Sequence, residues 1–95
     1  MNKYEVMFIV RPDMEEAEIK KTAEDMKKVL TDNKAKLLEE KPLGQKELAY
    51  EIRGHKTGYY FLINIEANDA KAINEFDRLA LISEDVIRHL IVKED

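Results

Sequence analysis

The sequence predicts an α+β sandwich, a four-stranded antiparallel sheet with two helices on one face, in the order β-α-β-β-α-β. Three observations carry that expectation. Lys3 to Val10 is dense in β-branched and aromatic residues and apolar on both sides, as a strand at the centre of a sheet must be. Tyr59 to Glu66 is a second stretch apolar on both sides over most of its length, the natural central neighbour of the first. Two segments with a single apolar stripe at helical spacing each follow one of these strands.

In the first strand Tyr4, Val6, Phe8 and Val10 share one face, and Met7 and Ile9 share the other. Arg11-Pro12-Asp13 breaks it, and Asp13 is expected to cap a helix with Glu16 three positions on. Ile19, Ala23, Met26 and Leu30 form that helix's buried stripe. Glu16/Lys20, Glu24/Lys28 and Glu24/Lys27 are spaced for ion pairs on its outer face, and Thr31 to Lys34 ends it.

Ala35 to Arg53 reads as extended. Leu48, Tyr50 and Ile52 alternate with Ala49 and Glu51, while Pro42 and Gly44 mark a bulge, which belongs on an edge strand. Gly54 to Gly58 is expected to be the loop of a hairpin into the third strand. Asn68 or Asp69 is the expected cap of a second helix, whose stripe is Ile73, Phe76, Leu79 and Ala80. After a turn at Ser83-Glu84-Asp85, the last strand runs from Val86 to Lys93. Val86, Arg88, Leu90 and Val92 are expected on one face, and Ile87, His89 and Ile91 on the other. With right-handed crossovers this order gives the ferredoxin-like split β-α-β sandwich, first and third strands central, as a single domain over residues 1–95.

One consequence follows for function. Two helices on one face cover Tyr4, Val6, Phe8, Val10, Phe61, Ile63 and Ile65, and leave Met7, Ile9, Tyr60 and Leu62 facing outward. Such an apolar face marks an interaction surface. With Tyr50 these four are the expected protein-partner residues. The alternative is that the long second strand or a loop folds over them.

Size and composition narrow the classes. Ninety-five residues make one core, burying roughly 65% of the unfolded chain's surface. The absence of cysteine removes disulfides and thiolate chemistry and fits a reducing compartment. Neither a spanning apolar run nor a signal peptide is visible, so a soluble cytoplasmic protein without membrane contact is expected. A net charge of −4 disfavours a nucleic-acid binder working alone but permits a local basic patch.

No catalytic constellation stands out. His55 and His89 fall in different elements without a third metal ligand, and no Ser-His-acid set or phosphate loop is present. No enzyme activity, cofactor, metal or small-molecule substrate is expected. Of two classes sharing this topology, the RNA-recognition motif needs a base, glycine, aromatic, small residue and aromatic on its third strand. Thr57-Gly58-Tyr59-Tyr60-Phe61 lacks the base, and a tyrosine stands where the small residue belongs. The small acylphosphatases need an anion cradle, and the acids after Arg11-Pro12 would repel a phosphate.

Five segments stand in order along the chain: Tyr4 to Pro12, the Gly44-Gln45-Lys46-Glu47-Leu48-Ala49-Tyr50-Glu51-Ile52 segment, Gly58-Tyr59-Tyr60, Phe76-Asp77-Arg78-Leu79, and Ile82 to Lys93 with Arg88-His89 inside it. Together they resemble the bacterial small-subunit ribosomal protein six family. They match in order and spacing from the first strand to the last. The resemblance implies a non-enzymatic component of the small ribosomal subunit. It would bind the central domain of 16S ribosomal RNA as a heterodimer with small-subunit ribosomal protein eighteen. Carried over by position, Lys3, Tyr4, Arg88, His89 and Lys93 are the implied RNA-binding residues, with Lys46 beside them. The chain departs from the family's basic pair by having Lys46-Glu47, and its tail ends early at Lys93-Glu94-Asp95. The competing readings are a ferredoxin-like regulatory module that homodimerises and binds a small ligand, and a divergent RNA-recognition-motif protein.

Overall fold

The computed structural model describes Asn2 to Glu94. Its elements are β1 (Asn2–Val10), α1 (Glu16–Asp32), β2 (Lys36–Ile52), β3 (His55–Ala67), α2 (Lys71–Ile82) and β4 (Val86–Glu94). The strands form one antiparallel sheet in the order β2-β3-β1-β4, so the two doubly apolar strands are indeed central.

The core lies between this sheet and the helices, and alternation along β1 builds it. Val6, Phe8 and Val10 are fully buried, opposite Ile63, Phe61 and Tyr59 of β3. Phe8 stacks on Phe61 with ring centroids 5.2 Å apart and meets Phe76 of α2 at 5.8 Å. Ile19, Met26 and Leu30 bring the α1 stripe onto the same layer, and Ala72, Phe76 and Ala80 bring α2. The small residues at 72 and 80 let α2 lie close, so Ile73 and Leu79 end up beside the core, half-buried.

Several local details differ from expectation. Asp13 does not cap α1, because its carboxylate is taken by Arg11 at 3.1 Å. Glu15 occupies the cap position without a side-chain bond. Arg11 also bonds Asp85 at 2.9 Å, and that hydrogen bond above all raises the guanidinium's pKa. Glu24 pairs with Lys27 at 2.9 Å rather than with Lys28, because Lys27 also reaches Glu40 of β2 at 3.0 Å. Asp69 accepts the Lys71 N–H at 3.0 Å although Ala70 holds the cap position of α2.

The hairpin is tighter than the glycines suggest. Arg53 and Gly54, both at positive φ (50° and 82°), make a two-residue turn, and His55 to Gly58 already belong to β3. In β4, Ile87 is an extra residue between the pairs Ile9/Arg88 and Val10/Val86. The bulge turns Val86 into the core, away from the face it was expected to share with Arg88, Leu90 and Val92.

Candidate nucleic-acid interface

The face of the sheet away from the helices is ordered in rows by cross-strand register. Reading from β4 through β1 and β3 to β2, the first row is Glu94, Lys3, Glu66 and Lys36. The second is Val92, Glu5, Asn64 and Glu39, and the third is Leu90, Met7, Leu62 and Lys41. Arg88, Ile9, Tyr60 and Gly44 make the fourth, and Lys46 opposite Gly58 follows. The face therefore grades from charged, through acidic and apolar, to a cationic and aromatic end. Leu90 and Val92 are 52% and 44% exposed, while Met7, Tyr60 and Leu62 are half-buried.

At the aromatic end the long second strand folds back over the sheet. Between the pairs Glu47/Thr57 and Ile52/His55, β2 places Leu48, Ala49, Tyr50 and Glu51 opposite the single residue Lys56. That excursion lays Leu48, Tyr50 and Ile52 across the end of the face and closes a hollow of about 140 Å³ lined also by Met7, Ile9 and Tyr60. Ile9, expected to face a partner, is only 3% exposed. It forms part of the floor beneath the strap and offers almost no surface to a partner. Gly58 makes this possible, because a Cβ there would collide with the Ile9 Cγ2.

Two cations sit on tyrosine rings around this end. The Arg88 guanidinium carbon lies 5.7 Å from the Tyr50 ring centroid, and its Nη1 donates a hydrogen bond to the Tyr50 hydroxyl. The Lys46 Nζ lies 5.9 Å from the Tyr60 centroid. Tyr50 itself is 61% exposed. These contacts unite residues from three strands, but they do not unite all the expected RNA contacts.

Tyr4, His89 and Lys93 fall on the helix side, since strand neighbours point to opposite faces. Tyr4 is a core residue at 9% exposure, paired with Ile65 and Lys93. His89 Nε2 lies 2.7 Å from Asp77 Oδ1 of α2, and its ring stands edge-on to Phe76 at 6.1 Å. It ties α2 to the sheet and leaves little of its ring outside. Lys93 is exposed on the helix side. Lys3 shares the open face with Arg88, but their rows lie six positions apart along β1, roughly 20 Å. The expected cations on this face therefore form two stations, one at Lys46 and Arg88 and one around Lys3, while Lys41 between them is paired with Glu39 at 3.2 Å.

Lys36, in the same row as Lys3, was missed by reading the sequence; only the β2 register places it there. A second feature unmarked in the sequence is a hollow of about 400 Å³ between α1 and β2, lined by Ile19, Ala23, Pro42, Tyr59 and Phe61. Tyr59 and Phe61 therefore point away from the open face. In an RNA-recognition motif the equivalent aromatics must stack bases on that face, so the register removes that reading. Among the described residues no group of three or more His, Asp or Glu side chains could hold a metal, and no helix is long and apolar enough to cross a membrane.

Comparison with known proteins agrees with this architecture. The family model for ribosomal protein S6 matches residues 3–93. The chain is also similar to the crystal structure of 30S ribosomal protein S6 from Thermotoga maritima, at 26% identity and a TM-score of 0.92. That match covers 98% of this chain and 87% of the other.

Proposed function

Because the chain belongs to the ribosomal protein S6 family, and is thus a protein of the small ribosomal subunit, we propose that it binds the central domain of 16S ribosomal RNA as a heterodimer with small-subunit ribosomal protein eighteen. Its role there is architectural and non-catalytic, and its place is the cytoplasmic ribosome. The observation that carries the RNA reading is the end of the open face, where Arg88 and Lys46 stand on tyrosine rings with their charge available to phosphate. Lys3 and Lys36 offer a second, weaker station beside Glu66 and Glu94.

The charge of the whole chain explains why a partner is needed. At −4 the chain repels a polyanion at long range, so a basic partner must supply most of the phosphate contacts. The apolar row Leu90, Met7 and Leu62 next to Glu5, with Glu39 at its edge paired to Lys41 at 3.2 Å, suits such a partner, which would bring both apolar and cationic side chains. Tyr60 and Tyr50 border that surface, and Ile9 supports it from beneath.

Binding to a central-domain fragment of 16S RNA across a salt series tests the reading. The chain alone should bind weakly and the chain with protein eighteen tightly. Arg88→Glu should weaken the complex by about tenfold or more and flatten its salt dependence by about one unit of slope. Tight binding by the isolated chain, or an Arg88→Glu complex with unchanged affinity at every salt concentration, would contradict it.

A further inference from the structure

Arg88 is held differently from the other arginines that bond side chains. Arg11 is paired with Asp13 and Asp85, and Arg78 with Glu75, so their charges are met by carboxylates. Among the described residues no carboxylate lies within ion-pair distance of Arg88; its partner is the ring and hydroxyl of Tyr50. A tyrosine orients a guanidinium without neutralising it. Only Nη1 is used, and the Nε and Nη2 donors, the edge that grips a phosphate or carboxylate with two parallel bonds, make no bond to any described residue.

The chain also departs from regular pairing to bring Tyr50 there. Tyr50 and Arg88 are 38 positions apart and lie on the two edge strands, with β3 and β1 between them. Regular β2–β3 pairing would leave Tyr50 beside β3. The excursion from Leu48 to Glu51 carries it across the face to β4. Tyr50 was expected to touch a protein partner; within the chain its ring and hydroxyl engage Arg88.

Resting on the reading that Arg88 meets RNA phosphate, we infer that Tyr50 is a positioning residue. It holds the Arg88 guanidinium over the end of the open face with its free edge outward, ready for a phosphate oxygen pair. Ordering a long cationic side chain before binding removes a cost otherwise met when the complex forms. The gain is in affinity at an unchanged number of phosphate contacts. The tyrosine makes no RNA contact of its own.

A double-mutant cycle decides this. Affinity for a central-domain 16S RNA fragment is measured with protein eighteen at saturation, for Tyr50→Ala, Tyr50→Phe, Arg88→Ala and the Tyr50→Ala/Arg88→Ala pair, across salt. Tyr50→Ala should weaken binding about 3- to 10-fold when Arg88 is present and have almost no effect when it is absent. Tyr50→Phe, which keeps the ring and loses the hydroxyl, should fall between. Arg88→Ala should lower the salt slope by about one, whereas Tyr50→Ala should leave it unchanged. Equal losses in both backgrounds, or none, overturn the inference. So does a Tyr50→Ala effect that appears only as weakened assembly with protein eighteen in calorimetry. If Arg88→Ala itself costs nothing, the RNA reading of Arg88 has failed instead. Tyr50 is largely exposed, so its substitutions should leave the thermal midpoint nearly unmoved.

Discussion

Gly58 has no room for a side chain, and the reason is Ile9. An added Cβ would strike the Ile9 Cγ2, with the Val10 carbonyl at 3.4 Å and Ile87 Cδ1 at 3.6 Å closing the other sides. Gly58→Ala should therefore destabilise the fold by roughly 1–3 kcal/mol, as overpacking does. Urea denaturation checks this, and an unchanged midpoint would mean that Ile9 is not clamped under the strap. Phe8→Ala should cost more, about 3–5 kcal/mol, because it empties the stack between Phe61 and Phe76. On the surface of α2, a hydrogen bond from Arg78 holds the Glu75 carboxyl below its ordinary value of 4.5. A carboxylate whose pKa is lowered by folding stabilises above its unfolded value, and that contribution disappears as the pH falls through its folded value. The thermal midpoint of Glu75→Gln should accordingly lie slightly below that of the parent at neutral pH, the gap closing below about pH 4.5. A gap independent of pH would assign the difference to something other than this pair.

Elements were more legible in the sequence than the residues that join them. The central strands announced themselves by being apolar on both faces, and each helix by one stripe, because burial imposes those periods directly. The strap of β2 left no such mark. Leu48, Tyr50 and Ile52 alternate as in any half-exposed strand, and four residues opposite one is a property of the pairing, invisible along the chain. Parity was available but easily lost. Tyr4 next to Lys3, and His89 next to Arg88, look like joint contacts when read as neighbours, yet the pleat sends each pair to opposite faces. His89 then finds Asp77, which a linear reading treats as a solvated helix residue. The open face that remains is bounded by Met7, Leu62 and Leu90, and a charge in its middle should act on assembly rather than folding. Leu62→Asp should leave the isolated chain folded, by circular dichroism, and reduce binding to protein eighteen by tenfold or more in calorimetry. Undiminished binding would move the partner elsewhere, with the hollow between α1 and β2 the next surface to probe.

At the scale of the molecule, this member of the ribosomal protein S6 family is an acidic chain with a small cationic, aromatic end to its sheet. Under the proposed reading its open face would receive a basic neighbour, and Arg88 on Tyr50 would offer one charge to RNA. The competing regulatory-module reading asks the same face to close on a second copy of the chain. Sedimentation of the chain expressed with a small affinity tag in growing bacterial cells separates the two most directly. The tagged chain should travel with 30S particles in a sucrose gradient, and high salt should release it together with protein eighteen. A chain that stays at the top of the gradient as a stable homodimer would contradict the ribosomal reading.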